Sequence, residues 1–475
     1  MKKIFCCFIL VYSYFSFSQE FVNSFGLDLK RKNAVFQVVE EDKNKVSLFF
    51  NDSKQVRMIS LDENLNKTDS LITDRPNTDY DDIIGYSISE DKYYLYWSEG
   101  KNKEIFAQCF DTKSKNVSTS TINLVFDKEK ILKKITVNSV FYIINIVKNT
   151  SILHIYILKD GKLDKKIIDL TGKTFLTNDN QKSNLWEIVN LSGLTDLSLY
   201  FENISNETPP SLTISSSKKK VYVEQNKLYF TFDHNFGFTQ LLGIDFDTFS
   251  AFQKTYTQPY MEPLEYDNPI SNSFFINGFI VQLKHNSSRL IITCKDFEGN
   301  EIKTYSAFSG REIEFKNSDI IQENGSVKNT RILDKSDQLI RKINSLNSSL
   351  SCSEIEGKIC LTIGAVSDEQ NNNAMLIGGM VGGLSGALIG AAISSNYSMN
   401  NLNSYKNRKV VYINCLFDEQ FNHIKGEVKS LPFDELRKFD EKNNWLSDKT
   451  IFKMNSNLYY GAYSLSEKKY TFYKF

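Results

Sequence analysis

The chain has 475 residues, with 57 Lys plus Arg against 57 Asp plus Glu, 13% aromatic residues and only seven prolines. A net charge of zero with both signs interspersed offers no basic field for nucleic acid. Short apolar and aromatic runs separated by polar Asn, Ser and Lys favour one large, many-stranded all-β repeat architecture.

In chain order, Lys2 and Lys3 precede an apolar run over residues 4–17 that ends in Ser16-Phe17-Ser18-Gln19. This pattern predicts a signal peptide over 1–18 and export to the periplasm, the outer membrane or the medium. Cys6 and Cys7 lie too early in the run to be a lipoprotein acceptor. The remaining chain, 19–475, reads as one domain.

Acidic corners recur at Asp62, Asp111, Asp160, Asp247, Asp296 and Asp418, at intervals of 49, 49, 87, 49 and 122 residues. Three equal intervals indicate a repeat with insertions. A hairpin precedes each corner: KVSLFF with VRMISL, YYLYW with IFAQCF, VFYIINIV with ILHIYIL, LYFTF with QLLGI, FIVQL with LIITC, and KICLTI with VVYINCLF. A seventh pair, LYYGAY with YTFYKF, ends the chain.

In the first three units, further strands flank the hairpin at 34–39 and 67–73, 83–88 and 117–125, and 131–137 and 165–170. Four antiparallel strands per unit predict a β-propeller of seven blades, with six or eight as alternatives. The last unit lacks a fourth strand, and residues 20–29 are free to supply it and close the ring. No WD or kelch signature marks the units.

Extra segments fall near 173–210, 309–343 and 371–408. The first contains LWEIVNL and reads as a degenerate hairpin; the second places Ile332, Leu333, Leu339, Ile340 and Ile343 on a short amphipathic helix. The basic run Lys218 to Lys220 reads as the start of a solvated strand.

The third segment interrupts the penultimate unit. Residues 374–393 read AMLIGGMVGGLSGALIGAAI, without a charge, and Gly378, Gly382, Gly386 and Gly390 recur every fourth residue, doubled by Gly379 and Gly383. On a helix these glycines form one smooth contact face. The segment resembles the glycine zippers of bacterial envelope proteins. That resemblance implies close helix association, with a membrane, an envelope protein or a second copy of the chain as the partner. Lying between two strands that should pair, the insertion must leave and return on one side, and it is expected to be separable from the core.

After residue 18 the cysteines are Cys109, Cys294, Cys352, Cys360 and Cys415, an odd number. Cys352 and Cys360 flank a turn around Glu356 and are the candidate disulfide; Cys109 and Cys294 should stay reduced. Asp79, Asp81 and Asp82, and Asp245 and Asp247, match no complete calcium loop and read as loop charges. His154 and His234 read as structural. The chain contains no Gly-x-Ser-x-Gly, His-Glu-x-x-His or phosphate loop, so no catalytic residue, metal or cofactor is assigned.

The expected function is a non-catalytic interaction or scaffold propeller of the cell envelope, attached through the glycine-rich insertion, and not an enzyme. The alternative is a propeller enzyme acting on glycans or peptides with carboxylates at the central channel. Three or more acids converging on the channel mouth would favour the enzyme.

Overall fold

A computed structural model describes residues 19–29, 34–80, 82–99, 103–191, 201–205, 207–265, 267–369 and 395–475. The segment expected to be a signal peptide, Asp81 and all six glycines of the expected contact face lie outside these residues. The fold is all-β and built from consecutive antiparallel sheets of four or more strands, consistent with a propeller-like arrangement.

In the first sheet the strands Ala34–Glu40, Lys45–Asn51, Gln55–Leu61 and Lys67–Asp74 pair in sequence order. The second (from Asp82–Ser89 to Asn116–Asn123), third (Glu129–Val137 to Lys162–Asp169) and fifth (Ile270–Ile276 to Glu301–Phe308) repeat this order. Side-chain patterning follows position. Lys45–Asn51, second in its sheet, is buried on both faces, whereas Asn116–Asn123, fourth in its sheet, reads NVSTSTIN and is mostly exposed. Thr and Ser keep that open edge strand-forming but wet, a guard against edge-to-edge association.

Most acidic corners are side-chain-capped turns that follow the hairpin; Asp160 instead forms a two-residue turn with Gly161, both at positive φ. Asp62, Asp296 and Asp418 each accept the backbone N–H four residues on, at 2.8 Å, from Asn66, Asn300 and Asn422. The residue before each Asn takes a positive φ: Leu65 at 58°, Gly299 at 91° and Phe421 at 58°. Leu65 and Phe421 are fully buried, which offsets a left-handed conformation that L-residues disfavour. In the fourth sheet the capping residue is Asp245, which binds the N–H groups of Asp247 and Thr248, so the corner lies two residues earlier than the 49-residue register predicts.

Apolar clusters lie between successive sheets: one and two, two and three, three and four, then four, five and six. First-to-second-strand turns are clasped from sheet to sheet as well. Lys43 Nζ donates to Glu90 O (2.9 Å), Ile88 N to Ser139 O (2.9 Å), Asn138 Nδ2 to Asn226 Oδ1 (3.3 Å) and Asn277 N to Glu224 Oε1 (2.8 Å). Sheets six and seven are joined by the helix Pro432–Lys442. Its Leu436 packs with Tyr460, and its Arg437 guanidinium grips the buried Glu323 carboxylate at 2.6 Å.

The last sheet takes its fourth strand from the start of the chain, as expected. Glu20–Gly26 pairs antiparallel with Lys469–Lys474, from Glu20 opposite Lys474 to Gly26 opposite Lys469. Phe25 stacks on Tyr470, and Tyr470 meets Phe50 of the first sheet edge-on at 5.1 Å. Sheet one and sheet seven thus share one apolar cluster.

Other expectations are corrected. LWEIVNL forms the helix Leu185–Asn190, capped by Asn184, instead of a hairpin. The sixth sheet takes its outer strands, Ile320–Asn324 and Thr330–Leu333, from residues preceding its hairpin; the helix that follows, Ser336–Ser345, buries Leu339, Ile340 and Ile343 but not Ile332. Lys219 and Lys220 are buried rather than solvated: Lys219 Nζ donates to Leu191 O (3.2 Å), and Lys220 Nζ to Asp233 Oδ2 (3.0 Å).

The Cys352 and Cys360 thiols are free. The two-residue turn at Glu356-Gly357 sets Ile355 opposite Lys358, so Cys352 faces Leu361 and Cys360 faces Ser353. A one-residue offset points the two sulfurs to opposite faces of the sheet. The insertion is not separable throughout, because its end, the helix Ser395–Asn403, packs into the core through Leu402.

Two measurements follow. Tyr470→Ala should cost about 3–5 kcal/mol in urea unfolding, because it empties the seam between the first and last sheets. An unchanged midpoint would show that the seam does not set stability. Second, the five buried thiols should react with a disulfide reagent only after denaturation, and recovery of a bridged 352–360 peptide from native protein would contradict the register.

Candidate active site

The first strands of five sheets end on one cavity of about 940 Å³. Each supplies an apolar residue near its last turn of pleat: Val39, Ile88, Val137, Val223 and Phe452. Above this belt the lining becomes acidic, with Glu40, Glu41, Asp42, Glu90 and Glu207 against Lys43 and Lys453. In the first sheet a 3-10 turn, Glu41–Lys43, stands where the third and fifth sheets have two-residue turns, and it brings Glu41 and Asp42 to the rim.

Glu207 arrives by a different route. The short strand Glu202–Ile204 adds parallel to Lys219–Glu224 at the inner edge of the fourth sheet, and the chain leaving it runs into the cavity. The helix Ser395–Asn403 braces this loop. Asn401 Nδ2 donates to Thr208 Oγ1 (3.0 Å), Ser211 N donates to Asn401 Oδ1 (3.1 Å), and Ser398 Oγ donates to Glu207 at 3.4 Å. Tyr397 of the same helix also lines the cavity.

Burial pushes the Glu207 carboxyl up to about 7; the Glu41 charge adds to this, while the Ser398 hydroxyl and Lys453 oppose it. Burial and then the Glu207 charge likewise raise the Tyr397 phenol. Glu207 is thus a carboxyl raised by burial in a cavity lining that also holds Glu41.

Among the described residues, none of the candidate site residues singled out from sequence lines this cavity. Asp79 is exposed and bound by Asn77, Asp82 opens a strand, and Asp245 and Asp247 serve turns. His154 is tied to Glu129 at 2.5 Å, and His234 is buried. Among the described residues no group of three or more His, Cys, Asp or Glu is placed to hold a metal ion. No helix among them is long and apolar enough to cross a membrane. The missed residues left uneven signals: the Glu-Glu-Asp run after a strand marks the longer turn, but nothing in the sequence announces Glu207.

No family model and no curated protein matches the chain. Among solved structures, a variant of the Synechocystis apocarotenoid oxygenase overlaps 61% of this chain and 63% of its own, at 9% identity and a TM-score of 0.29. An ACO/RPE65 chimera overlaps 57% and 59%, at 8% and 0.28. The dihydro-heme d1 dehydrogenase NirN overlaps 56% and 45%, at 10% and 0.24. The chain therefore spans less than two thirds of each, and overlaps of this size fix neither a reaction nor a ligand.

The expectation of a non-catalytic scaffold that is not an enzyme is corrected. Five acids line one cavity where strand ends of five sheets meet, more than the three that would favour the enzyme alternative.

Because folded Glu207 holds its proton to higher pH than the unfolded chain, its contribution to stability is full below about pH 4.5 and is lost as the pH rises through 7. Glu207→Gln should flatten the melting temperature over that interval and melt higher than the native chain above pH 7. Parallel melting curves for the two proteins across the interval would contradict the raised carboxyl.

Proposed function

We propose that the chain is an exported seven-bladed β-propeller that hydrolyses glycosidic bonds in this cavity, with Glu207 as proton donor and Glu41 as the second carboxylate. The blade count is supported by the sheet order and by the strand shared between chain start and chain end. The observation that carries the catalytic reading is the placement of Glu207, its carboxyl raised by burial to about 7, in one cavity lining with Glu41 where strands of five sheets meet.

In glycoside cleavage, one carboxylic acid gives its proton to the departing glycosidic oxygen, and a carboxylate either attacks the anomeric carbon or activates water. Glu207 fits the first task because burial raises its carboxyl; Glu41, which lines the same cavity, fits the second. The rest of the lining favours a polyol. Ser139 and Ser205 offer hydroxyl groups, and Tyr86 and Tyr397 offer rings.

A panel of fluorogenic glycosides should reveal turnover that falls on the alkaline side near pH 7, where the acid is lost. Glu207→Gln should lower kcat by about 10²- to 10⁴-fold on the best substrate. Undiminished hydrolysis by that variant, or hydrolysis confined to peptide substrates, would overturn the assignment.

A further inference from the structure

The residues Glu207-Thr208-Pro209-Pro210-Ser211 follow the strand Glu202–Ile204 and lead into the short helix Leu212–Ser215. Two consecutive prolines leave this loop without two backbone N–H groups, so it has little means of fastening itself through its own main chain. Side chains from elsewhere hold it instead. Ser351 Oγ of the sixth sheet donates to Pro210 O at 2.6 Å, and Asn401 holds the loop at two points: its Nδ2 donates to Thr208 Oγ1 at 3.0 Å, and its Oδ1 accepts from Ser211 N at 3.1 Å.

Asn401 is only 4% exposed, and its partner Thr208 only 2%. Asparagine is disfavoured in a helix interior, because its amide competes for backbone groups. Here both ends of that amide serve one loop, on the two sides of the proline pair. Thr208 directly follows Glu207, so the clamp fixes the backbone from which the carboxyl projects. Ser398 Oγ, at 3.4 Å from the carboxyl itself, is too far to fix it alone.

We propose that Asn401 is the positioning residue for Glu207, acting through Thr208 to hold the carboxyl in the cavity lining where it serves as proton donor. This rests on the hydrolytic reading above and adds the residue that places its acid. The groups whose charges act with Glu207 are Glu41 of the 3-10 turn, Lys453 of the last sheet and Tyr397 of the helix Ser395–Asn403, and Glu40, Asp42, Lys43 and Glu90 line the same cavity. A substitution at Thr208 leaves all of them in place.

The test compares three variants of the full chain. Thr208→Val keeps the side-chain shape and removes the hydroxyl; Thr208→Ser keeps the hydroxyl. Thr293→Val removes a similarly buried hydroxyl from the fifth sheet, bonded to Thr304 at 3.2 Å and absent from the cavity lining. Melting temperature is followed across the pH interval over which Glu207 titrates. Released by Thr208→Val, the carboxyl should turn toward water and become a more ordinary acid, so the fall in stability with rising pH should flatten toward that of Glu207→Gln. The alkaline limb of hydrolysis should move down by roughly one pH unit, with kcat about tenfold lower at the optimum. Thr208→Ser should rescue both readouts, and Asn401→Ala, which opens the clamp from the other side, should reproduce Thr208→Val. Thr293→Val should lower every melting temperature alike and leave the slope as it is. Curves for Thr208→Val and Asn401→Ala that run parallel to the native one would show a merely structural role and overturn the inference. Flattened curves without turnover of any glycoside would keep the clamp on Glu207 and overturn the hydrolytic reading. Turnover that is lost in Glu207→Gln but unaltered in Thr208→Val would keep that reading and overturn the clamp.

Discussion

Joining the two ends of the chain in one sheet is the constraint on which the other packing depends. Each sheet presents two apolar faces, and a stack of such sheets has no self-sufficient first or last member. Pairing Glu20–Gly26 with Lys469–Lys474 covers one open edge and sets the Tyr470 and Phe472 rings against Val46, Leu48 and Phe50. The first and last sheets then need no separate cap. Long-range closure of this kind carries a loop entropy that rises only slowly with length. A contact across more than four hundred residues is therefore affordable once the apolar faces meet.

The same arrangement makes the cavity. When several sheets gather with their first strands inward, the inner strand ends and the turns after them are brought together whatever their sequence separation. Most of these turns are short and neutral, and they clasp the neighbouring sheet. The first sheet departs from that rule with its acidic 3-10 turn, and the fourth with a parallel strand after which Ser205 and Glu207 line the cavity. The acids are concentrated where the repeat is broken, the expected place for function on a regular scaffold.

Much of the repeat was legible because strand and turn chemistry are local. KVSLFF and VRMISL pair as read, and so do the other hairpins, since a two-faced apolar run between polar turns has few alternatives. The corner aspartates were visible because side-chain capping requires that residue at that spot. What failed depended on distant neighbours. Lys219 and Lys220 look solvated until the helix Leu185–Asn190 and Asp233 are placed against them. Cys352 and Cys360 look opposed until a two-residue turn fixes the register one residue away. Glu207 was hidden for the same reason: its surroundings come from residues 41, 398 and 453, far apart in the chain.

Three glutamates show how the molecule separates structural carboxylates from the one in the cavity. Glu323 is gripped by both arms of Arg437 and by the Tyr412 hydroxyl, at 2.6 to 3.3 Å. Glu129 accepts from Asn145 at 2.8 Å and Tyr156 at 3.0 Å and pairs with His154; burial alone would raise it, but these partners hold it below the ordinary range. Both are charges whose desolvation is compensated within the fold. Glu207 is half-buried at the cavity, and among the described residues it has one hydroxyl at 3.4 Å, with the Glu41 and Lys453 charges acting in opposite directions. Had stability been the only requirement, a third arginine or amide would serve here as it does elsewhere. A carboxyl with so few partners in a cavity lining is the physical ground on which its proposed role as proton donor rests.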